Sequence, residues 1–268
     1  MTIHIIGSEG FIGKAIQRNA CNYKLQLWSH SYLKGYNNFD LLNKDTWQNL
    51  FNSSPKTVLI LSWPGLPNYN QSFHISRNLP LFIEFIEKLI NIGCKNIICA
   101  GTCYEYGLLN GALKEITNVK PISSYAKAKD SLRKKMELIC KSNSVRWVWA
   151  RIFYPYGIEQ NENSLYPSLI NSIKKNQIYF DITSGNQLRD FISSDQVAKN
   201  LLYLSASSEA YGIFNCGSGE PISIFDFVQK IVKEKKSSIK IRRGKYPDRD
   251  DEPKSFWADM SKFNSLIN

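Results

Sequence analysis

Two residues of the chain, Tyr125 and Lys129, have the types and the spacing needed to transfer a proton. Residues four apart in a helix project from the same face, so the phenol and the ammonium group would lie together. An unperturbed tyrosine has a pKa of about 10, and a neighbouring positive charge favours the phenolate, which makes the side chain a usable acid or base near neutral pH. The alternative is an ordinary surface pair, because this spacing alone is common.

A glycine-rich turn near the start of the chain indicates a dinucleotide-binding site. It follows a short apolar strand at residues 3–6 and opens a helix. The residues of the turn are Gly7, Gly10, Phe11, Ile12 and Gly13. Backbone N–H groups and the positive end of the helix dipole at such a turn bind a pyrophosphate. We therefore expect NADP or NAD as cofactor; a plain tight turn is the alternative.

The end of the second predicted strand bears on which dinucleotide is bound. An acidic residue at that place bonds the adenosine ribose hydroxyls and is typical of NAD sites. Here the chain reads Leu27, Trp28, Ser29 and His30, without a carboxylate. This absence leaves room for a 2′-phosphate near Ser29 and His30, so the sequence favours NADP. The alternative is that both are ordinary loop residues.

A third polar segment, Thr102, Cys103 and Tyr104, follows the apolar strand predicted at residues 96–100. Ligands of open α/β sheets bind at the carboxyl ends of the strands. The Thr102 hydroxyl is therefore placed to hydrogen-bond a substrate oxygen beside the tyrosine. The alternative is a threonine that only caps a turn.

Short apolar segments alternate with segments of helical periodicity over the first 150 residues, which predicts an α/β class Rossmann fold with a doubly wound parallel sheet. The predicted strands are residues 3–6, 25–28, 57–61, 96–100 and 145–150. After residue 151 the alternation loosens. We expect a dinucleotide-binding domain at residues 1–155 and about 181–212, and a smaller C-terminal substrate-binding region at about 156–180 and 213–268.

The composition argues against several other functions. The 268 residues carry a formal net charge of +11, but the lysines and arginines are scattered, which argues against nucleic-acid binding. The six cysteines form no C-x-x-C pair and do not cluster with the three histidines, so neither a metal site nor a disulfide framework is expected. No apolar stretch is long enough to cross a bilayer and no secretory signal is recognisable, so we expect a cytoplasmic protein without membrane association.

These motifs, in this order, resemble the extended short-chain dehydrogenase/reductase family, the NAD-dependent epimerase/dehydratase group that acts on nucleotide sugars. The likeness extends over nearly the whole chain. Three later segments are also similar to family motifs, namely residues 151–157, residues 189–192 with Asp195, and residues 214–219.

The resemblance implies a role for each site residue. By it, Tyr125 is the general acid/base, Lys129 holds the nicotinamide ribose, and Thr102 bonds the reacting oxygen. Further cofactor contacts are implied for Trp63 and Asn78. The implied substrate contacts come from Cys103, Tyr104, Tyr154, Arg189 and Arg249.

The resemblance also narrows the reaction. The family's 4,6-dehydratases place an Asp and a Glu directly after the catalytic threonine, where this chain has Cys103 and Tyr104. Glu105 lies one position too late, and its side chain would point elsewhere, so a dehydratase is not expected. The family's epimerase-reductases have a cysteine two residues after the hydroxyl, so Cys103, only one residue after it, is interpreted as a buried apolar residue. Tyr154 replaces a common asparagine.

Among the reactions of the family, simple hydride transfer at a sugar carbon is the one still compatible with these residues. Residues 63–69 and 101–107 look most similar to 4-ketoreductases of nucleotide-linked 6-deoxy sugars. We expect reduction of the C4 keto group of a nucleoside-diphosphate 4-keto-6-deoxyhexose, or the reverse dehydrogenation, in the synthesis of bacterial surface polysaccharide sugars. An NAD-dependent 4-epimerase is the alternative, and a non-catalytic dinucleotide-binding regulator is a further one. As is usual in the family, the apolar helices at residues 79–90 and 124–140 predict a homodimer.

Overall fold

The computed structural model describes residues 1–31, 33–249 and 252–267. The strands in these segments are β1 (Thr2–Ile6), β2 (Lys24–Ser29), β3 (Asn37–Asn38), β4 (Thr57–Ile60), β5 (Asn96–Thr102), β6 (Gly111–Leu113), β7 (Arg146–Ile152), β8 (Pro155–Tyr156), β9 (Tyr179–Asp181), β10 (Leu188–Arg189), β11 (Ile192–Ser193), β12 (Gly212–Cys216), β13 (Ile222–Ser223), β14 (Lys240–Arg242) and β15 (Phe256–Ala258). The helices are α1 (Phe11–Asn19), α2 (Trp47–Asn52), α3 (Leu79–Asn91), α4 (Ser124–Ser142), α5 (Leu165–Lys174), α6 (Ser194–Ala206), α7 (Ile224–Glu234) and α8 (Ser261–Ile267).

Seven parallel strands form the central sheet, in the order β12-β7-β5-β4-β1-β2-β3. The chain builds the sheet outward from β1 in both directions, so the order reverses between β1 and β4. A crevice outside the carboxyl ends of the strands at such a reversal is where doubly wound folds bind ligands. The predicted fold class is confirmed.

Helices cover both faces of the sheet because the central strands are apolar on both sides. On one face α3 and α4 pack through Phe82, Phe85, Leu132 and Met136. On the other face α1, α6 and α8 pack against residues such as Ile5 and Leu59. Helix α3 is preceded by a π-helical turn, His74–Asn78. The two helix layers fix the positions of the carboxyl ends of the strands, so side chains at this edge of the sheet are held in place.

A smaller lobe lies beside this edge. Its own apolar core joins α5, β9 and α7 through residues such as Leu169, Phe180 and Phe227. Strand β12, in contrast, pairs with β7 in the central sheet, and Phe263 of α8 belongs to the core beneath it. Assigning all of residues 213–268 to the substrate-binding region was therefore wrong for β12 and α8. Among the described residues, no helix is long and apolar enough to cross a membrane.

Candidate active site

A cleft of about 1460 Å³ opens at the carboxyl edge of the central sheet. The start of α1, the ends of β4, β5 and β7, the first turns of α4, and the small lobe contribute its walls. This volume exceeds that of the usual pocket for one small ligand, so the cleft has room for two ligands side by side. Among the predicted site residues it is lined by Phe11, Ile12, Trp63, Thr102, Cys103, Tyr104, Tyr125, Lys129, Tyr154, Arg189 and Arg249.

Helix α4 brings Tyr125 and Lys129 to one wall of the cleft. The Ser123 hydroxyl caps the helix by accepting a hydrogen bond from the Ala126 N–H at 3.1 Å, and the Tyr125 N–H donates to the Tyr69 carbonyl at 2.8 Å. One turn later the Lys129 ammonium donates to the Ala100 carbonyl at 2.8 Å. Both side chains are thus held by the backbone around them and still reach the cleft.

Burial sets the charge state of this pair. It raises the pKa of the Tyr125 phenol well above 10, with smaller contributions from Tyr69 and Glu105, while a hydrogen bond with Thr102 acts in the opposite direction. Burial also lowers the pKa of Lys129. From the spacing alone, Lys129 would lower the pKa of the tyrosine, but desolvation dominates and the ammonium is directed at the Ala100 carbonyl. The phenol is therefore protonated at neutral pH and available as a proton donor.

Thr102 both lines the cleft and caps a short 3₁₀ helix, Cys103–Tyr106. Its hydroxyl oxygen accepts a hydrogen bond from the Tyr104 N–H at 3.3 Å. The capping interpretation and the substrate-contact interpretation are thus compatible, because a hydroxyl has two acceptor lone pairs and one proton to donate.

Glu105 is the acidic residue nearest in sequence to Thr102, and its carboxylate points into the protein. One oxygen accepts hydrogen bonds from the Thr102 N–H at 3.0 Å and the Trp149 indole at 2.8 Å, and the other accepts from the Arg151 guanidinium at 2.8 Å. Glu105 and Arg151 are both fully buried. This carboxylate is not among the residues that line the cleft, so it is not positioned as an acid or base for a bound substrate.

Three further predicted residues surround the same region. Cys103 is buried, and burial raises the pKa of its thiol, which leaves it protonated and apolar as expected. The Tyr104 ring lies edge-on to Tyr154, with 6.1 Å between centroids. The Tyr154 hydroxyl is buried and forms no hydrogen bond of normal geometry with the described residues. It is therefore a polar group in the cleft with spare hydrogen-bonding capacity.

Two arginines lie at the far end of the cleft and share one carboxylate that the sequence analysis did not identify. Arg189 is almost completely buried and donates to Glu252 at 3.0 Å, while the exposed Arg249 donates to the other oxygen of Glu252 at 3.0 Å. The Arg189 guanidinium also lies 5.3 Å from the centroid of the Tyr154 ring. Glu252 stands three residues after Arg249, a spacing that is too common to signal a site.

Trp63 contributes an aromatic wall next to Lys129, whose ammonium lies 4.2 Å from the centroid of its indole. The Trp63 N–H donates to Nδ1 of the buried His74 at 3.0 Å, and burial lowers the pKa of His74 and keeps it neutral. Asn78 donates to the Pro64 carbonyl at 2.8 Å and is not among the residues that line the cleft. It holds the turn that carries Trp63. His74 was not identified from the sequence.

The glycine-rich turn has a shape that fits a dinucleotide. A Cβ on Gly13 would lie 2.4 Å from the Ser8 carbonyl oxygen, and one on Gly7, whose φ is +85°, would lie 2.8 Å from the Ser62 nitrogen. Only glycine allows this close approach of α1 to the strands. Gly10 is the N-cap of α1 and offers no side-chain cap, so the first N–H groups of the helix are available to a pyrophosphate.

The preference for NADP rested on the absence of a carboxylate from residues 27–30 at the end of β2, but the structure brings a carboxylate to this place from another segment. Glu9, from the glycine-rich turn, reaches this place. Its carboxylate accepts a hydrogen bond from the Ser31 hydroxyl at 2.8 Å and lies 3.4 Å from Nδ1 of His30. Ser29 and His30 thus lie beside a negative charge contributed by a different segment.

The fold and the cleft define a doubly wound α/β protein whose crevice combines a glycine-rich turn with a buried tyrosine–lysine pair. The chain belongs to the NAD dependent epimerase/dehydratase family, whose model matches residues 3–217.

Individual relatives extend this likeness over the chain. The dTDP-6-deoxy-L-talose 4-dehydrogenase (NAD(+)) of Aggregatibacter actinomycetemcomitans is 27% identical over 96% of this chain and 99% of its own. The dTDP-4-dehydro-6-deoxyglucose reductase of Escherichia coli is 26% identical over 85% of this chain and 79% of its own. Among solved structures, a UDP-N-acetylglucosamine 4-epimerase from Methanobrevibacter ruminantium M1 superposes with a TM-score of 0.83 and 26% identity, covering 100% and 92% of the two chains.

Proposed function

We propose that this protein is an oxidoreductase that reduces the C4 keto group of a nucleoside-diphosphate 4-keto-6-deoxyhexose, or catalyses the reverse dehydrogenation, with a nicotinamide dinucleotide as cofactor. The observation that carries the proposal is the position of Glu105. The site has a proton donor, Tyr125, and a hydroxyl, Thr102, on the same cleft wall, but the neighbouring carboxylate is bound to Arg151. Such a site suits hydride transfer coupled to one proton, without the additional acid and base that elimination of water needs.

Each residue of the site has a distinct part in that reaction. The bound cofactor supplies the hydride. Tyr125 donates its proton to the carbonyl oxygen as that oxygen becomes the alcohol, and Thr102 hydrogen-bonds the same oxygen and polarises it. Lys129, held by Ala100 and by the face of Trp63, stabilises the phenolate that remains and bonds the ribose beside it. Reduction thus consumes one hydride and one proton and forms one alcohol.

The far end of the cleft suits a nucleoside diphosphate. Arg189 and Arg249 both lie there, and a diphosphate would replace Glu252 as their shared anion. The Tyr154 hydroxyl, beside Arg189, adds a further donor at this end of the cleft, in place of the family's asparagine. Two of the relatives above are named for dTDP-linked 6-deoxy sugars, which supports this substrate class.

A homodimer is part of the proposal. Helices α3 and α4 lie side by side on the outer face of the sheet, where Leu138 is 60% exposed and Ile90 is only partly buried. A second copy of the same helix pair would cover these apolar side chains. Light scattering on the purified protein measures the mass directly, and a monomer at micromolar concentration would contradict this part.

The function is tested by incubating the purified protein with NADH or NADPH and dTDP-4-keto-6-deoxyglucose. We expect loss of the reduced-nicotinamide absorbance in proportion to sugar consumed, and a product with a hydroxyl group at C4. The alternative is a 4-epimerase, the class of the solved Methanobrevibacter ruminantium structure described above. No net cofactor oxidation, together with interconversion of UDP-hexoses by the protein, would favour that alternative.

A further inference from the structure

The glycine-rich turn is joined to the end of β2. The N–H groups of Gly7 and Ser8 both donate to the Trp28 carbonyl, at 3.1 and 3.2 Å, and the Ser8 hydroxyl donates to the same oxygen at 2.9 Å. The next residue, Glu9, therefore starts from a backbone that is fixed against β2. Its side chain can therefore contact the residues that follow this strand.

Of the two oxygens of the Glu9 carboxylate, one accepts a hydrogen bond of normal geometry from the described residues. Oε1 accepts the bond from Ser31 and faces His30, whereas Oε2 is buried and makes no hydrogen bond of normal geometry with the described residues. A buried carboxylate oxygen without a donor is costly unless a ligand supplies one. The hydroxyl groups of a ribose are donors of this kind, and the adenosine ribose of a dinucleotide lies at the end of the second strand in such folds.

The charges around Glu9 keep the carboxyl ionised. Burial alone would raise its pKa, but the nearby hydroxyl groups of Ser29 and Ser31, with smaller contributions from His30 and Lys14, outweigh burial, so the pKa is lowered. His30 is the basic side chain at the end of β2 that the sequence analysis placed near a 2′-phosphate, and in the structure it faces Glu9. A phosphate at the same place would meet a negative charge.

We propose that Glu9 supplies, from the glycine-rich turn, the carboxylate that dinucleotide-binding folds usually place at the end of the second strand, and thereby selects NAD over NADP. This inference rests on the proposed function only in requiring that a dinucleotide binds. The cofactor preference proposed here, for NAD, is the opposite of the NADP preference that the sequence around Ser29 and His30 indicates.

The test is a titration of the protein with NADH and with NADPH, in the absence of any sugar. Binding is monitored by quenching of tryptophan fluorescence or by nicotinamide fluorescence. For the unmodified protein we expect NADH to bind at least about tenfold more tightly than NADPH, which is about 1.4 kcal/mol, because the Glu9 carboxylate would repel a 2′-phosphate. Glu9→Gln keeps the shape and removes the charge. In this variant the ratio of the two dissociation constants should fall at least about tenfold, mainly through tighter NADPH binding.

The matched control is Glu84→Gln, an exposed carboxylate of α3 that pairs with Lys44 and should leave the ratio unchanged. A protein that binds NADPH more tightly than NADH, or a ratio that Glu9→Gln leaves unchanged, would overturn the role of Glu9 while leaving the proposed function intact. If neither dinucleotide binds the unmodified protein, both proposals fail. If Glu9→Gln does not fold, Glu9→Ser, which removes the same charge with a smaller side chain, takes its place in the comparison.

Discussion

Replacing Glu105 by alanine should destabilise the protein strongly, because its carboxylate is the acidic partner of the buried Arg151 guanidinium. Leaving one member of a buried ion pair without its partner costs about 3–5 kcal/mol. The Trp149 indole N–H and the Thr102 N–H also lose their acceptor, at about 1–3 kcal/mol each when no water replaces it. These costs overlap, so we expect a loss of at least about 4 kcal/mol, or roughly 10 °C in Tm.

Urea unfolding followed by far-UV circular dichroism measures this loss. Glu105→Gln, which keeps an acceptor oxygen but removes the charge, should lose less than the alanine variant. Glu137→Ala is the matched control, since Glu137 pairs with Arg133 and Lys141 on the surface of α4 and should change stability by no more than about 1 kcal/mol. A Glu105→Ala variant with unchanged stability and abolished turnover would refute the reasoning, because it would make Glu105 a catalytic acid or base.

Three further predictions concern single titratable groups. Because burial raises the pKa of Tyr125, kcat/KM for reduction should stay flat through neutral pH and fall only in the alkaline range, above the usual value of about 10, and a fall near pH 7 would contradict this. Lys129→Met should bind the dinucleotide at least about tenfold more weakly and yet lose little stability in thermal unfolding, since an apolar side chain replaces a buried amine. The buried His4 accepts a hydrogen bond from the Trp28 indole, and burial lowers its pKa to about 4, so it is neutral in the folded protein near neutral pH. Because the unfolded chain binds this proton at a pKa of about 6.5, the free energy of unfolding should fall by up to about 3 kcal/mol as the pH falls from above 6.5 toward 4. His4→Gln should therefore show a weaker decline of the urea midpoint between these pH values.

The parts of the site that lie close together in the chain could be predicted from the sequence. The glycine-rich turn needs only β1 and the start of α1, and the pairing of Tyr125 with Lys129 needs one turn of α4. Their identification required no knowledge of which strands are neighbours. The alternation of apolar strands and amphipathic helices was likewise sufficient for the fold class.

The contacts that decide the reaction and the cofactor join distant segments and could not be predicted in this way. Strand β5 lies beside β7 with Gly101 opposite Arg151, and a Cβ on Gly101 would lie 2.2 Å from the Trp149 indole nitrogen. That glycine makes the room in which Trp149 and Arg151 reach Glu105. The approach of Glu9 to Ser31 similarly depends on the pairing of β1 with β2. Such partners follow from strand order and register, which the pattern of a single sequence does not specify.

The central claim is that Tyr125 delivers the proton during hydride transfer to a nucleotide sugar. The most direct test compares Tyr125→Phe with Tyr203→Phe, whose hydroxyl donates to the Leu266 carbonyl away from the cleft. We expect Tyr125→Phe to lower kcat for reduction of dTDP-4-keto-6-deoxyglucose about 10²–10⁴-fold while the dissociation constant of the dinucleotide stays within about threefold, and Tyr203→Phe to change neither. Full turnover by Tyr125→Phe would contradict the account.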